Sequence, residues 1–413
     1  MNLAATIPAG DAIDPIWHAA VIGAGPAGSL AACELARRGL RTLLIERRAF
    51  PRYKVCGGCI NRRAWSILDA AGLGHLRREL PSRMQHWLEL AVAERCVRLP
   101  LPGVAAIARS DFDAALVNAA VDAGACFLPE TEAKLLPRVP AHGHHNELPN
   151  APQQSCESYR RLHLRDRDGC ERVIAAAVVV AADGLSHPAL QRCGEFRPRV
   201  HSRSNIGVGA MLPRVPTDYD DQTIYMAISP TGYAGLVRTG GGQWNAAASV
   251  RPGFLRDVGG PAKALETLFV EAGFAAIDGL HNADWSGTPP LTRMTWPPTS
   301  ERVFLIGDAA AYVEPFTGEG ITWALLSARL VVPLVCQTVR CWSPQLARKW
   351  QRIWSQSIRH SQRSCWMLSA LIRSPLAMSL VIRFLSRFPR AARPIVNQLN
   401  APAVEAAETV GNE

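Results

Sequence analysis

Residues 19–46, "AAVIGAGPAGSLAACELARRGLRTLLIE", constrain the fold more than any other stretch. An apolar run meets three glycines at the spacing Gly23-x-Gly25-Pro26-Ala27-Gly28. Apolar residues then recur at helical spacing, and a second apolar run ends at Glu46 and Arg47. The pattern predicts strand, tight turn, helix and strand, a βαβ unit. In such a unit the glycines let the backbone approach a diphosphate at the positive end of the helix. Glu46, eighteen residues past Gly28, stands where an acid accepts hydrogen bonds from a ribose. A dinucleotide site over Gly23, Gly25, Pro26, Ala27, Gly28, Glu46 and Arg47 follows.

Two further buried strands end in turns that carry an acid: "VVVAADG", reaching Asp183-Gly184, and "VFLIGDAA", reaching Gly307-Asp308. Between them, 191–296 alternates apolar, polar and turn-forming residues, which predicts a β-rich second unit. "RSDFDAALVNAAVDAGACFL" (109–128) predicts a helix capped by Ser110 or Asp111 and stopped by Gly124, with Arg109 just before it. A further helix is expected from about Gly318-Glu319. "RRLHLRDRDGCERV" reads as a hairpin turning at Asp168-Gly169. Residues 137–158, rich in Pro, His and Asn, read as an exposed loop, with His142, His144 and His145 as solvated polar residues.

The net charge of +10 invites a nucleic-acid reading, but its location argues otherwise. Ten Arg and Lys residues and no acid lie between Ser343 and Asn400, so this tail alone equals the excess. There, arginines alternate with Trp, Leu, Ile and Phe in a segment broken by Pro375, a composition suited to an anionic membrane surface or to packing on the core. No nucleic-acid partner is expected. Eleven cysteines without paired metal-ligand spacing fit a reduced compartment. The amino terminus has no basic start before its weakly apolar part, so the expected location is cytoplasmic, with peripheral contact at the inner membrane surface through 343–400.

The order GxGxxG…Glu, "VVVAADGLSHPALQR" and "VFLIGDAAAYVEPFTGEGI" resembles the FAD proteins that include aromatic hydroxylases and geranylgeranyl reductases. "FPRYKVCGGCINRRAW" (50–65) resembles the Lys-x-Cys-Gly-Gly segment of the reductase branch in particular. The resemblance implies a Rossmann-like FAD-binding domain of the glutathione-reductase, two-dinucleotide-binding-domain type at 15–190 and 297–335. It also implies an inserted β-rich substrate domain at 191–296 and a helical basic tail at 336–413. FAD is expected to be held without a covalent bond. Asp308 would meet its ribityl or diphosphate part, and Arg109 its phosphates or ribityl chain. Pro315, Thr317, Gly318, Gly320 and Ile321 would run beside the isoalloxazine, with Asp183 and Gly307 in turns near the cofactor. NAD(P)H, expected as reductant, has no second GxGxxG and would bind across the surface.

The reacting chemistry is less constrained. Cys56, Gly57 and Gly58, with Pro315, are the candidate flavin-proximal residues; the glycines permit close approach to a ring. Cys56 either shapes the substrate pocket or is a plain buried thiol, and Cys59 is expected to point into the core. A second CxxC is absent, which argues against zinc. In "SPTGYAGLVRTGGGQW", Gly232 and Tyr233 match the prenyl-reductase strand, but Gly235 replaces an aromatic and Val237-Arg238 replaces Phe-Pro. Tyr233 and Arg238 are the candidate substrate contacts; Arg238 either holds a phenolate or carboxylate head group or is a surface arginine on an alternating strand. The expected function is an FAD- and NAD(P)H-dependent monooxygenase acting on a hydrophobic aromatic, polyketide or lipid-like molecule. Reduction of prenyl double bonds is the first alternative, and a non-catalytic lipid carrier the second.

Overall fold

The computed structural model describes residues 3–8, 10–12, 15–138, 159–186, 188–190, 193–314, 316, 318–372, 374–392 and 394. The elements used below are β1 (Trp17–Ile22), α1 (Pro26–Arg37), β2 (Thr42–Ile45), α2 (Arg109–Asp122), β3 (Glu171–Ala181), β4 (Ile206–Leu212), β5 (Gly232–Arg238), β6 (Trp244–Val250), α3 (Gly320–Arg340), α4 (Pro344–Trp354), α5 (His360–Ile372) and α6 (Pro375–Arg387).

Near-continuous apolar runs become central parallel strands because both of their faces are covered. β1 lies between β2 and β3, both parallel to it, with Ile22 opposite Ile45 and Ala181. Val303–Leu305 extends the sheet beyond β3, and Cys126–Leu128 beyond β2, again in parallel. The hairpin predicted at Asp168-Gly169 forms, and β3 is its second strand. α1, α2 and α3 supply Leu30, Leu35, Phe112, Leu116, Leu325 and Val331 to one continuous core with these strands. Among the described residues one helix, α3, is long and apolar enough to cross a membrane, with a mean hydropathy of 1.4; 67% of that stretch is buried.

The second sheet has eight strands. Ser286–Pro290, β4, β6, β5 and Thr223–Ser229 follow one another antiparallel, and then Arg83–Val92 joins Thr223–Ser229 in parallel. Arg95–Ala106 and Cys59–Ile60 complete it. The β-rich unit placed at 191–296 therefore also takes three strands from 59–106. The strand that joins them to the unit, Arg83–Val92, has its partner Thr223–Ser229 more than a hundred residues away in sequence, and local pattern carries no information about so distant a pairing. The fold is α/β with mixed sheets.

Local expectations are adjusted in two places. α2 begins at Arg109 itself, with Ala108 at the cap position and no side-chain cap, in place of Ser110 or Asp111. α3 begins at Gly320, with Glu319 at its cap. His142, His144, His145, Pro315 and Thr317 lie outside the described residues.

Candidate functional site

The parallel strands all present their carboxyl ends at one edge, which gathers Gly23, Glu46, Asp183 and Asp308 from four separate stretches of sequence. Backbone crowding fixes the first turn. A Cβ on Gly23, at φ +100°, would sit 2.4 Å from the Ala182 carbonyl oxygen, and one on Gly28 would sit 1.9 Å from that of Gly23. Gly25 differs: its nearest neighbour is Arg52 Nη2 at 3.8 Å, so its bare side faces the open cleft. Pro26 is the first residue of α1, and no side chain caps this end. The amino end of α1, with Ala27 in its first turn, thus aims backbone N–H groups and a positive end at the cleft.

Glu46 is buried and accepts from the Ala24 and Arg48 N–H groups, each at 3.1 Å, and from Arg52 at 3.4 Å. Arg52 continues to Asp113 at 3.1 Å, and Arg109 grips the same carboxylate with two bonds of 2.9 and 2.8 Å. Burial disfavours the Arg109 charge, but Asp113 and then Cys56 outweigh it and raise the guanidinium above its ordinary value. The result is a buried relay, Glu46–Arg52–Asp113–Arg109, with two cations and two anions. Arg47 reaches Ser186 Oγ at 3.1 Å across the cleft. Asp183 accepts from the Ala189 N–H at 3.0 Å.

Tyr53, Lys54 and Val55 line the same cleft, and the chain runs on from them into Cys56-Gly57-Gly58. Lys54 pairs with Asp308 at 3.5 Å and lies beside Gly184. The Cys56 thiol accepts from the Gly58 N–H at 3.5 Å, and its carbonyl accepts from Asn245 Nδ2 at 2.8 Å, which ties the segment to β6. Gly57 has open space where a Cβ would stand, whereas a Cβ on Gly58 would meet the Ile107 carbonyl oxygen at 2.9 Å. Cys59 is half-buried beside Gly318, packed against the apolar cluster of the second sheet, and its thiol donates to the Gly57 carbonyl. Gly307 lets its turn pass close to Ala27 of α1, and its N–H donates to Ser327 at 2.9 Å. Gly320 and Ile321 form the first turn of α3.

Alternation along β5 separates the two substrate candidates. Tyr233 stands opposite Ser249 and packs edge-on against Phe316, with ring centroids 5.1 Å apart. Arg238 falls on the other face of the strand, bound to the Gly242 carbonyl at 3.2 Å and to Asp221 at 3.2 Å. Tyr233 also meets Glu314, and burial, followed by that carboxylate, pushes its hydroxyl well above the usual tyrosine range. Glu314 is buried and accepts from Ser249 Oγ and from Asn205 Nδ2 at 3.4 Å. Tyr312 is shifted the same way, by burial and then by Asp308.

Arg52, Asp113 and Glu314 were not singled out in the sequence, and Lys54 entered only as the first residue of the Lys-x-Cys-Gly-Gly string. For Asp113 a signal exists: it stands four residues after Arg109 on a helix, where an acid and a base meet. Among the described residues no group of three or more His, Cys, Asp or Glu is placed to hold a metal ion.

The FAD binding domain family matches residues 17–332. Menaquinone reductase of Mycobacterium tuberculosis is 29% identical over 386 residues, covering 84% of this chain and 84% of that one. Digeranylgeranylglycerophospholipid reductase 1 of Methanopyrus kandleri is 26% identical over 383 residues, covering 89% and 93% respectively. The solved structure of a flavin-dependent brominase superposes with a TM-score of 0.72 at 17% identity, covering 94% of each chain, a likeness of fold.

Proposed function

This chain belongs to the FAD binding domain family and is an FAD-dependent oxidoreductase, and from that premise we propose that it reduces carbon–carbon double bonds in the isoprenoid chain of a hydrophobic substrate. The observation that carries this reading is the seat of Lys54–Gly58: Lys54 on Asp308, Cys56 on Arg109 and Asn245, and Gly57 facing open space. The Lys-x-Cys-Gly-Gly string resembles that of the prenyl reductases and begins in the cleft with Lys54, and the two relatives named above are a menaquinone reductase and a digeranylgeranylglycerophospholipid reductase, which supports the reading.

The residues present fit FAD. The uncapped amino end of α1 and the bare side of Gly25 leave a cradle for a diphosphate, and Glu46 stands where a ribose would be held. Arg52 and Arg109 offer further donors once they share Asp113. When bound, FAD supplies a hydride. The chain's own part is to exclude water, to orient the double bond and to supply a proton to the second carbon. Tyr233, held by Glu314 and Ser249, is the hydroxyl placed to hold that proton. NAD(P)H is the proposed reductant, and a surface encounter suits a chain with one GxGxxG.

A second reading, monooxygenation, is favoured by β5. Gly235 and Val237, on the same face of β5 as Tyr233, stand where prenyl reductases resembling this chain carry an aromatic residue and the Phe of Phe-Pro, so the face beside Tyr233 differs. The experiment is anaerobic mixing of the reduced holoenzyme with a prenylated naphthoquinone, followed by flavin absorbance and product mass. Flavin reoxidation with gain of two hydrogens in the side chain supports the proposal. Reoxidation by oxygen alone, with substrate recovered unchanged under anaerobiosis, refutes it.

A further inference from the structure

The basic carboxyl-terminal segment mixes large apolar residues with arginines throughout, and the structure sorts these residues into two groups. Trp350, Trp354 and Ile358 of α4 and the turn after it are buried against the parallel-sheet core. α6 is different because both of its faces are apolar. Met378 and Ile382 point inward onto Leu90, Val97 and Leu99 of the second sheet. On the opposite side Leu376, Leu380, Phe384 and Phe388 recur every four residues and are 81%, 67%, 54% and 56% exposed. The two phenylalanine rings pack against each other at a tilt of 46°, with centroids 5.4 Å apart. Met367 of α5 adds a further exposed side chain.

A helix that is apolar on both sides is normally covered on both. The charge around the stripe identifies the cover. At 100° per residue Arg383 and Arg387 fall beside Leu376 and Leu380; both are exposed, as is Arg390, and no acid lies between residues 343 and 400. A second copy docked isologously on this stripe would bring these arginines against their own equivalents. An anionic bilayer instead accepts the apolar row among its acyl chains and the guanidinium groups among its phosphates.

We propose that α6 is a peripheral membrane anchor, seated on anionic lipid through Leu376, Leu380, Phe384 and Phe388 with Arg383 and Arg387 at headgroup depth. Its inner face belongs to the same apolar cluster as Tyr233, Phe316 and Cys59. The bilayer would therefore lie about 10 Å, one helix diameter, from the cluster that borders the site. The inference does not depend on which reaction the site performs, and its test uses no substrate.

The test is co-sedimentation of the full-length holoenzyme with phosphatidylcholine vesicles and with equimolar phosphatidylcholine–phosphatidylglycerol vesicles. The wild type should bind the anionic vesicles and release from them as salt rises. The triple variant Leu380→Ser, Phe384→Ser, Phe388→Ser should lose at least about 100-fold in partitioning. Arg383→Gln with Arg387→Gln should lose roughly 30-fold on anionic vesicles only, at about fivefold per arginine. All these side chains face solvent, so FAD content and thermal midpoint should stay at wild-type values, which separates lost binding from lost folding. Wild-type protein that ignores both vesicles overturns the proposal. So does equal binding by the triple variant. A dimer that this variant dissociates, without vesicle binding, would assign the face to a second copy, and binding seen only after removal of residues 395–413 would assign it to the chain's own end.

Discussion

Two neighbouring glycines should fail in different ways when each gains one methyl group. At Gly28 the new Cβ would stand 1.9 Å from the Gly23 carbonyl oxygen and 3.2 Å from the Ala182 Cβ, both in the packed turn. The first distance falls short of an ordinary contact by more than an ångström, and the obstacle is backbone, so α1 must move relative to β1. Overpacking of this kind costs roughly 1–3 kcal/mol. For a chain of 413 residues that lowers the thermal midpoint by about 1–4 °C. At Gly25 the nearest atom is the end of a flexible arginine at 3.8 Å, so Gly25→Ala leaves the apoprotein's midpoint unchanged. Its methyl group enters the cleft where the diphosphate would lie. Displacing one charge-assisted N–H bond costs about 1.5–3 kcal/mol, a loss in FAD affinity of roughly 10- to 150-fold. The assay is scanning calorimetry of both apoproteins with FAD titration by fluorescence quenching. If Gly25→Ala binds FAD as tightly as the wild type, the cradle is not where the structure puts it. If Gly28→Ala melts as the wild-type apoprotein does, the crowding argument fails.

Three further outcomes follow from the site and its surroundings. Glu314→Gln keeps the size of the side chain and its bond from Asn205 but removes the charge beside Tyr233, so turnover should fall by about 10²–10⁴-fold while FAD stays bound; an unchanged kcat would remove this pair from the proton path. Cys56→Ala should alter both the flavin spectrum and turnover, because Cys56 borders Arg109 and the open side of Gly57; an unchanged spectrum and rate would make it a plain packing thiol. Glu195 is held below the ordinary 4.5: burial opposes its charge, and Arg160 and Ser300 more than offset that. Because the folded value is depressed, the stability it contributes is present above about pH 4.5 and is lost as pH falls through the folded value, so Glu195→Gln should flatten the acid limb of a stability curve below that pH.

Much of the parallel core could be read from the sequence, and the reason is local. The glycine spacing, the helical recurrence after Gly28 and the buried runs ending at Asp183 and Asp308 each fall within a single element, and one element's pattern reports its own environment. What could not be read depends on distant partners. Nothing near Lys54 points to Asp308, and nothing near Arg83–Val92 points to Thr223–Ser229, although the structure joins both pairs. Glu314 is a lone acid whose meaning comes from Ser249, Asn205 and Tyr233, all contributed by the second sheet or its edge. Arg238 shows the converse: its place in a mostly apolar strand left a head-group contact and a surface arginine both open, and only the structure shows its bond to Asp221, on the face of the strand opposite Tyr233. In the tail, Trp350 and Phe384 look alike as sequence, and only the docking of α4 and α6 buries one and exposes the other.

The most direct test of the account is the mass of the product formed from a prenylated naphthoquinone by the reduced holoenzyme, compared under strict anaerobiosis and under isotopically heavy oxygen gas. The account predicts the same product in both, carrying two added hydrogens in its prenyl chain once the ring has been reoxidised to the quinone, and free of the oxygen label. A product that forms only with oxygen and carries one labelled oxygen atom would contradict it and establish the monooxygenase.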